Sequence, residues 1–442
     1  MLRKVSHATK ELRQRHGSTQ NEEGEVAPVA SSACVGTNQS RRRGRRAYKV
    51  LDTFAGAGGF SLGFQQAGFR VIGAIERDEW AADTFRYNHP AATTLVGDIQ
   101  SFSSPVLSSM FPVERRPDVV LGGPPCQGYS VCRRHAGDPR DPRNTLFSEF
   151  VRMADVFEPF LMVMENVPNI TKAMTSKKQR VIDVIVGELR TRGFHVYYDV
   201  LQATDFGVPQ IRRRLFVVAS RVALKTPFPK PTHSLANDNT QSLFASNLEP
   251  CPSLWNAISD LPCIDAGQGA EEMPYADPPE NEYQRELRMG SQAVFNHKAM
   301  NHSLRTVTRF RAMKCGESVS DVADHLKPYA RNSNGVVSGR TYDQNSRRMH
   351  PNRPCHTIPA SFYANFVHPF RDRNFTAREG ARLQSFPDMY VFKGKPTVVS
   401  HKLLAREERY EELFLCQYNQ IGNAVPPLLA KALAQNLLNQ LE

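Results

Sequence analysis

The sequence predicts an α/β protein built on a mostly parallel, doubly wound sheet, with a smaller irregular domain beside it, and three observations lead there. Short apolar runs alternate with helical stretches from Tyr48 to Ser220. The first run feeds a glycine-rich turn, Ala55-Gly56-Ala57-Gly58-Gly59. The runs also carry carboxylates at or near their ends, Asp52, Glu76 and Asp98, and the fourth breaks into Gly122-Gly123-Pro124-Pro125. Ligands of open α/β sheets sit beyond the carboxyl ends of strands, so chemistry is expected at these positions.

The elements follow in order. Lys49 to Phe54 is the first strand, and Phe60 to Ala67 a helix closed by Gly68. Arg70 to Ile75 is the second strand, with Glu76 at its tip. Asp78 caps a helix that runs to Asn88 and stops before Pro90. Leu95 to Asp98 and Asp118 to Leu121 are the third and fourth strands. The two glycines and two prolines that follow force a tight loop leading to Cys126. Thr145 to Phe157 reads as a helix, and Phe160 to Met164 as a strand entering Glu165-Asn166-Val167-Pro168. Lys177 to Arg192 is a helix, and His195 to Leu201 and Leu215 to Ala219 are strands. Val425 to Leu441 is an amphipathic helix opened by Pro426-Pro427, with Leu428, Leu429, Ala432, Leu433 and Leu437 facing the core. The expected division is a disordered basic extension (1–46), the first part of a catalytic domain (47–220), an irregular recognition domain (221–340) and a return to the catalytic domain (341–442).

Composition narrows the class. A hydrophobic fraction of 40% with no apolar run of ~18 residues predicts a globular chain without a membrane span. The eight cysteines make no CxxC pair, which argues against a zinc site or disulfide framework and for a reducing compartment. The net charge of +12 points to a polyanionic partner. Residues 1–49 carry +7 of it, so the nucleic-acid case has to rest on motifs.

The glycine turn lets a ligand approach the backbone closely. Its spacing, Gly56, Gly58 and Gly59, is not the GxGxxG of a dinucleotide site, although the turn alone also fits a nicotinamide dehydrogenase. Glu76 is placed for both ribose hydroxyls, Asp98 for an adenine amino group and Phe54 for the face of a base. This set suits an adenosine ligand without a pyrophosphate. Cys126, as thiolate, can add to C6 of a cytosine if N3 is protonated or hydrogen-bonded during attack. C5 then becomes nucleophilic. Glu165, ending the neighbouring strand, is the candidate acid at N3. Arg212 and Arg214, two apart on an extended segment, point to the same side and suit a phosphate or a base oxygen.

These residues together resemble the DNA (cytosine-5)-methyltransferases, over about residues 48–220 and 341–438. Asp52 to Gly59 looks like that family's first motif, for S-adenosylmethionine, and Gly123-Pro124-Pro125-Cys126-Gln127 is similar to its nucleophile motif. Glu165-Asn166-Val167, Gln210-x-Arg212-x-Arg214, Arg353-Pro354-Cys355-His356-Thr357 and Gln420 to Pro426 resemble its later motifs. The resemblance implies a Rossmann-like S-adenosylmethionine-dependent fold, with S-adenosylhomocysteine as product. It implies catalytic roles for Cys126, Glu165, Arg212 and Arg214. Ala55, Ile99, Pro124, Leu146, Asn423 and Val425 join the cofactor side, and Gln127, Ser130 and Gln210 the target-base side. The target cytosine swings out of double-stranded DNA, because its C5 and C6 are out of reach in the stack. The loop Gly128–Arg143 closes over it, and Arg305, Arg309, Arg311, Asn332, Asn334 and Arg340 are candidate base readers in 221–340. No metal is implied. The compact plan fits a monomer in the bacterial cytoplasm, either the modification partner of a restriction endonuclease or an orphan. An RNA methyltransferase of the same fold carries a Cys-Phe-Thr signature that this sequence lacks. A silent DNA-binding regulator would not need Cys126, Glu165 and the glycine turn intact.

Overall fold

Strands β1 (Lys49–Thr53), β2 (Arg70–Glu76), β3 (Thr93–Val96), β4 (Val119–Gly122), β5 (Leu161–Asn166) and β6 (His195–Gln202) lie in one sheet; β7 (Gln210–Ile211) lies outside it, and β8 (Arg213–Ser220) is the sheet's seventh strand. The order is β3-β2-β1-β4-β5-β8-β6. Strands β1 to β5 run parallel, and β8 runs antiparallel between β5 and β6. This computed structural model describes residues 47–125, 146–175, 178–235, 248–330, 335–338, 346–397, 404, 406–409 and 413–441. The expected basic extension, 1–46, falls outside the described residues. The strand order reverses between β1 and β4, where Thr53 lies beside Gly122. Such a reversal opens a crevice at the strand ends.

Sequence alternation decides which side chain meets which face. Leu51, Ile75, Val120, Met162 and Met164 pack on one side, against α4 (Leu146–Phe157) and α5 (Val181–Thr191), with α1 (Gly59–Gln66), α2 (Glu79–Asn88) and α3 (Ser104–Met110) preceding these helices in the chain. Val50, Ala74, Leu121 and Val163 pack on the other side with Phe60 and Phe64 of α1. The unbroken apolar run Leu161–Met164 therefore belongs to a strand covered on both faces. Two boundaries differ from expectation in ways that matter. Glu165 lies inside β5 rather than after it, so its direction is set by the pleat. β3 stops at Val96, and Asp98 instead caps a 3-10 turn over Ile99–Ser101.

Beyond β8 the chain is less regular but carries defined elements. These are β9 (His233–Ser234), β10 (Glu249–Pro250), α6 (Leu254–Ile258), β11 (Gly269–Met273), α7 (Glu282–Arg288), β12 (Val294–Lys298) and α8 (Leu304–Arg311). After them come β13 (Arg347–Arg348), β14 (Cys355–His356), β15 (Phe366–Val367), α9 (Ala377–Leu383), α10 (Gln417–Asn423) and α11 (Pro427–Leu441). A third core joins Leu254, Leu287 and Val294 to Phe362, Leu383, Tyr390 and Ile421, and it reaches Ala57 of the glycine turn. Helix α9 is buried along its whole length. It tolerates this because its charges are paired: Arg382 meets Asp260 and Asp388, while Glu379 takes a two-point contact from Arg373 at 2.9 and 2.7 Å. Its start is a capping box between Thr376 and Glu379, a T-x-x-E signal written in the sequence.

Helix α11 crosses α1 closely. Its buried face is Leu429, Ala430, Leu433, Ala434 and Leu437, so two alanines replace the expected Leu428 and Ala432 at the closest approach. A Cβ on Gly63 would lie 2.4 Å from the Ala430 Cβ and 2.6 Å from the Pro427 carbonyl oxygen. Gly→Ala inside a helix normally stabilises by roughly 0.5–1 kcal/mol. Here the sign reverses: Gly63→Ala lowers the urea midpoint by the equivalent of about 1–3 kcal/mol, the usual overpacking cost. A midpoint that rises would show that the two helices separate freely.

Candidate functional site

The cofactor side begins where β1 leaves the sheet. The N–H groups of Phe54 and Ala55 both donate to the Ile75 carbonyl, at 3.0 and 3.1 Å, and Phe54 takes a φ of 70°. The chain thereby turns out over β2. Gly56 has φ +54°, and a Cβ there would meet nothing within 4 Å, so this side of the turn faces open space. Gly58 and Gly59 face packed protein. A Cβ on Gly58 would lie 2.6 Å from the Tyr390 hydroxyl, and one on Gly59 2.4 Å from the Val425 carbonyl oxygen. The turn is open in front and supported from behind.

The three carboxylates do different work. Glu76 accepts from the Gly56 N–H at 2.7 Å and the Asp78 N–H at 2.8 Å, tying the turn to the start of α2. Burial raises its pKa, and the two N–H bonds oppose that. Asp98 accepts from the Gln100 N–H at 3.0 Å and stays half-buried, 3.9 Å from Arg77. Asp52 is buried and accepts from the Ser61 hydroxyl at 2.7 Å. It locks α1 onto β1. Burial first, and then the nearby Glu76 charge, push its pKa up to about 7. Ala55, Ile99, Leu146 and Val425 are buried, while Asn423 is exposed at the end of α10.

The target side lies over β4 and β5. The Asn166 amide donates to the Pro124 carbonyl at 3.1 Å, holding the start of the loop after β4. Glu165 Oε2 is 3.6 Å from where a Gly123 Cβ would stand, and Glu165 Oε1 pairs with Arg214 Nε at 2.8 Å. Antiparallel pairing explains this. The start of β8 meets the end of β5, which brings Arg214 to Glu165. Cys126, Gln127 and Ser130 lie outside the described residues, as does the loop Gly128–Arg143.

Arg212 lies within electrostatic reach of Glu165 and Arg214, but its guanidinium is committed elsewhere. It is buried and donates to the carbonyls of Ile358 (3.0 Å), Gly422 (3.0 Å) and Ala424 (3.1 Å). Burial, with the Arg214 charge second, drives its pKa well below the ordinary arginine value. The expectation that Gln210 faces a target base needs correction. Its side chain is fully buried, donating to Gln384 Oε1 at 2.8 Å and accepting from the Ile358 N–H at 2.8 Å, so it is spent on packing. Among the candidate readers, Arg305 lies over the Tyr329 ring at 4.1 Å, Arg309 donates to the Leu326 carbonyl, and Arg311 pairs with Asp372 at 3.0 Å. Asn332, Asn334 and Arg340 are outside the described residues. Asp78, Thr84 and Gln420 make long-range contacts that the sequence does not announce. Asp78 Oδ2 accepts from the Leu415 N–H at 2.7 Å, and the Thr84 hydroxyl donates to Gln420 at 2.6 Å. These partners are more than 300 residues apart, and no local pattern marks them.

Residues 48–439 match the family described as C-5 cytosine-specific DNA methylase. The chain is 43% identical over 392 residues to the Type II methyltransferase M.DdeI of Desulfomicrobium norvegicum, covering 88% of each chain. It is 32% identical to the Type II methyltransferase M1.HphI of Haemophilus parahaemolyticus, covering 88% of this chain and 86% of the other. A candidate DNA modification methyltransferase encoded within an E. coli prophage has the same fold, with a TM-score of 0.66 and 23% identity over 89% of this chain and 99% of that one.

Two outcomes test the geometry. Arg212→Ala removes the guanidinium donor from three carbonyls, of which, among the described residues, only that of Ala424 has a second donor in Gln384, and lowers stability by about 2–5 kcal/mol in urea unfolding. Arg214→Ala breaks a single, largely buried pair with Glu165 and costs less than Arg212→Ala. Equal losses would refute the division of labour. For Asp52, the folded protein holds a proton between pH ~4 and ~7 that the unfolded chain has released, so this contribution is lost as pH rises through about 7. Relative to Asp52→Asn, the wild type therefore loses on the order of 2–3 kcal/mol between pH 5 and pH 8. Parallel curves for the two proteins would count against a buried carboxyl of this kind.

Proposed function

We propose, for a chain that belongs to the C-5 cytosine-specific DNA methylase family, that it transfers a methyl group from S-adenosylmethionine to C5 of a cytosine swung out of a specific duplex sequence, through a covalent bond from Cys126 to C6. The observation that carries this reading is the convergence at the sheet's switch point. A glycine turn open at Gly56 and clamped by Glu76 stands beside a second loop on which the Glu165 carboxyl rests at Gly123.

The residues fit the cofactor. The open face of Gly56 admits a ligand against the backbone, and the left-handed φ there favours glycine. The Glu76 carboxylate, with about four lone-pair sites, can accept from ribose hydroxyls beside the N–H groups it already meets. Asp98, which accepts from Gln100 through one oxygen, takes the adenine amino group with the other, and Phe54, Asn423 and Val425 are read as completing the pocket. When bound, S-adenosylmethionine supplies the methyl group as an electrophilic sulfonium.

The protein's own groups do the rest. Cys126 attacks C6 as thiolate, while Glu165 holds a proton at N3, so that electron density collects at C5. Arg214 holds one oxygen of Glu165 and aims the other toward the loop. Arg212 braces the same region from beneath. Removal of the C5 proton after transfer expels the thiol and restores the ring. Residues 221–340 read the target sequence, and the protein works as a monomer in a bacterial cytoplasm. The Type II methyltransferase names of its relatives support a role as the modification partner of a restriction endonuclease.

Tritiated S-adenosylmethionine with unmethylated duplex DNA puts label in 5-methylcytosine. Duplex carrying 5-fluorocytosine forms an adduct that survives denaturation and is absent from Cys126→Ser. Methylation at the wild-type rate by Cys126→Ser would remove the thiol from the mechanism. Glu165→Gln slows single-turnover chemistry by about 10²- to 10⁴-fold. An unchanged rate would reject Glu165 as the group at N3. Label in transfer RNA, and none in DNA, would move the substrate to RNA.

A further inference from the structure

The glycine turn is held from behind by a residue more than 300 positions downstream. The Tyr390 hydroxyl donates to the Ala57 carbonyl at 2.5 Å, across 333 positions of sequence. The His89 ring stands 3.2 Å from the same hydroxyl by Nε2 and 2.9 Å from Gln65 by Nδ1. Both rings are buried, and both crowd the position a Gly58 Cβ would take, at 2.6 and 3.0 Å. Ala57 and Gly58 are the turn's rear edge, and Gly56 is its open front.

Tyr390 is itself fixed by a chain of contacts. Its own carbonyl accepts from buried Arg378 of α9 at 2.7 Å, and Arg378 also reaches the Phe295 carbonyl in β12. Two residues on, the Phe392 backbone is gripped at both its N–H and its carbonyl by the Asn296 amide of β12, at 2.9 and 3.0 Å. Val391 is gripped in the same way by Asn88 of α2, at 3.0 and 2.8 Å. The segment 390–392 is thus held backbone-first, and one side-chain hydroxyl projects from it onto the turn. The two-point amide grips fix position more firmly than core packing alone requires. The phenol stays protonated, because burial and the nearby Asp52 raise its pKa well above 10. It remains a donor throughout the working pH range.

We propose that Tyr390 is a positioning residue for the cofactor: with His89 behind it, its hydroxyl fixes the Ala57–Gly58 peptide so that the front of the turn is pre-formed for the nucleoside. The proposal rests on the reading that S-adenosylmethionine binds this turn. A turn without the brace can still close on the ligand, but it spends binding energy to order itself. Removing the hydroxyl therefore weakens cofactor binding and leaves DNA binding and the chemical step nearly intact.

The test is Tyr390→Phe in the full chain, with S-adenosylhomocysteine affinity measured by calorimetry in the absence of DNA. One neutral hydrogen bond corresponds to a roughly 3- to 10-fold weaker Kd. KM for S-adenosylmethionine should rise by a similar factor, with KM for DNA and single-turnover rate at saturating cofactor within about twofold of wild type. His89→Gln removes the ring from the other side of the brace and should weaken the same affinity without changing KM for DNA. A Kd within twofold of wild type in both variants overturns the proposal, as does a fall in melting temperature with no change in Kd. Failure of the wild type to bind either S-adenosylmethionine or S-adenosylhomocysteine would instead sink the cofactor reading, so the two failures are distinguishable.

Discussion

One buried guanidinium holds the two ends of the catalytic fold together. Arg212 leaves β7 for β8 and reaches three backbone carbonyls, one after β14 and two at the end of α10. A buried cation is costly unless its donors are met, and an unmet carbonyl is costly unless it finds a donor. Each side therefore requires the other. The segment that follows, Ala424 to Pro427, is in turn pressed against Gly59, where the Val425 carbonyl leaves no room for a side chain. Through this contact the segment after α10 becomes part of the back wall of a turn formed near residue 56.

The same logic recurs in α9. A seven-residue helix with two arginines and a glutamate would be expected at a surface. Here it is buried completely, and its charges hold the irregular region to the return segment. Asp260 and Asp388 compensate Arg382, while Arg378 is met by carbonyls of Phe295, Pro387 and Tyr390. Paired burial of this kind fixes register rather than adding much stability. Its value is directional, because the phenol of Tyr390 and the amide of Asn296 have to arrive at defined places.

The two halves of the site obey different constraints. Over β1 to β3 the geometry is mostly backbone, with the N–H groups of Gly56 and Asp78 answering Glu76 and the left-handed Gly56 keeping the front open. Over β4 and β5 it is side chain against side chain, Glu165 with Arg214, made possible because β8 enters antiparallel. Adjacent strand ends put the halves side by side.

Local chemistry was legible without coordinates wherever it is written in neighbouring residues. The glycine turn, Asp78 as a cap, Glu76 at a strand tip and the placement of Glu165 beside the fourth-strand loop all follow from period, punctuation and spacing, which act over a few residues. The sequence by itself therefore determined the strand-and-helix plan of the sheet and the family resemblance, and it named the candidate reactive groups. Only the tertiary structure decided what each polar side chain answers. Gln210 and Arg212 sit in one motif with Arg214, yet the first two are consumed by buried carbonyls and amides, and only Arg214 meets Glu165. Tyr390, His89 and Asn296 look like ordinary core residues in the sequence, because the contacts that join them to the turn and to the segment 390–392 span 96 to 333 positions. A hydrogen bond across such a distance leaves no periodic or compositional trace, and it exists only once the chain has closed on itself.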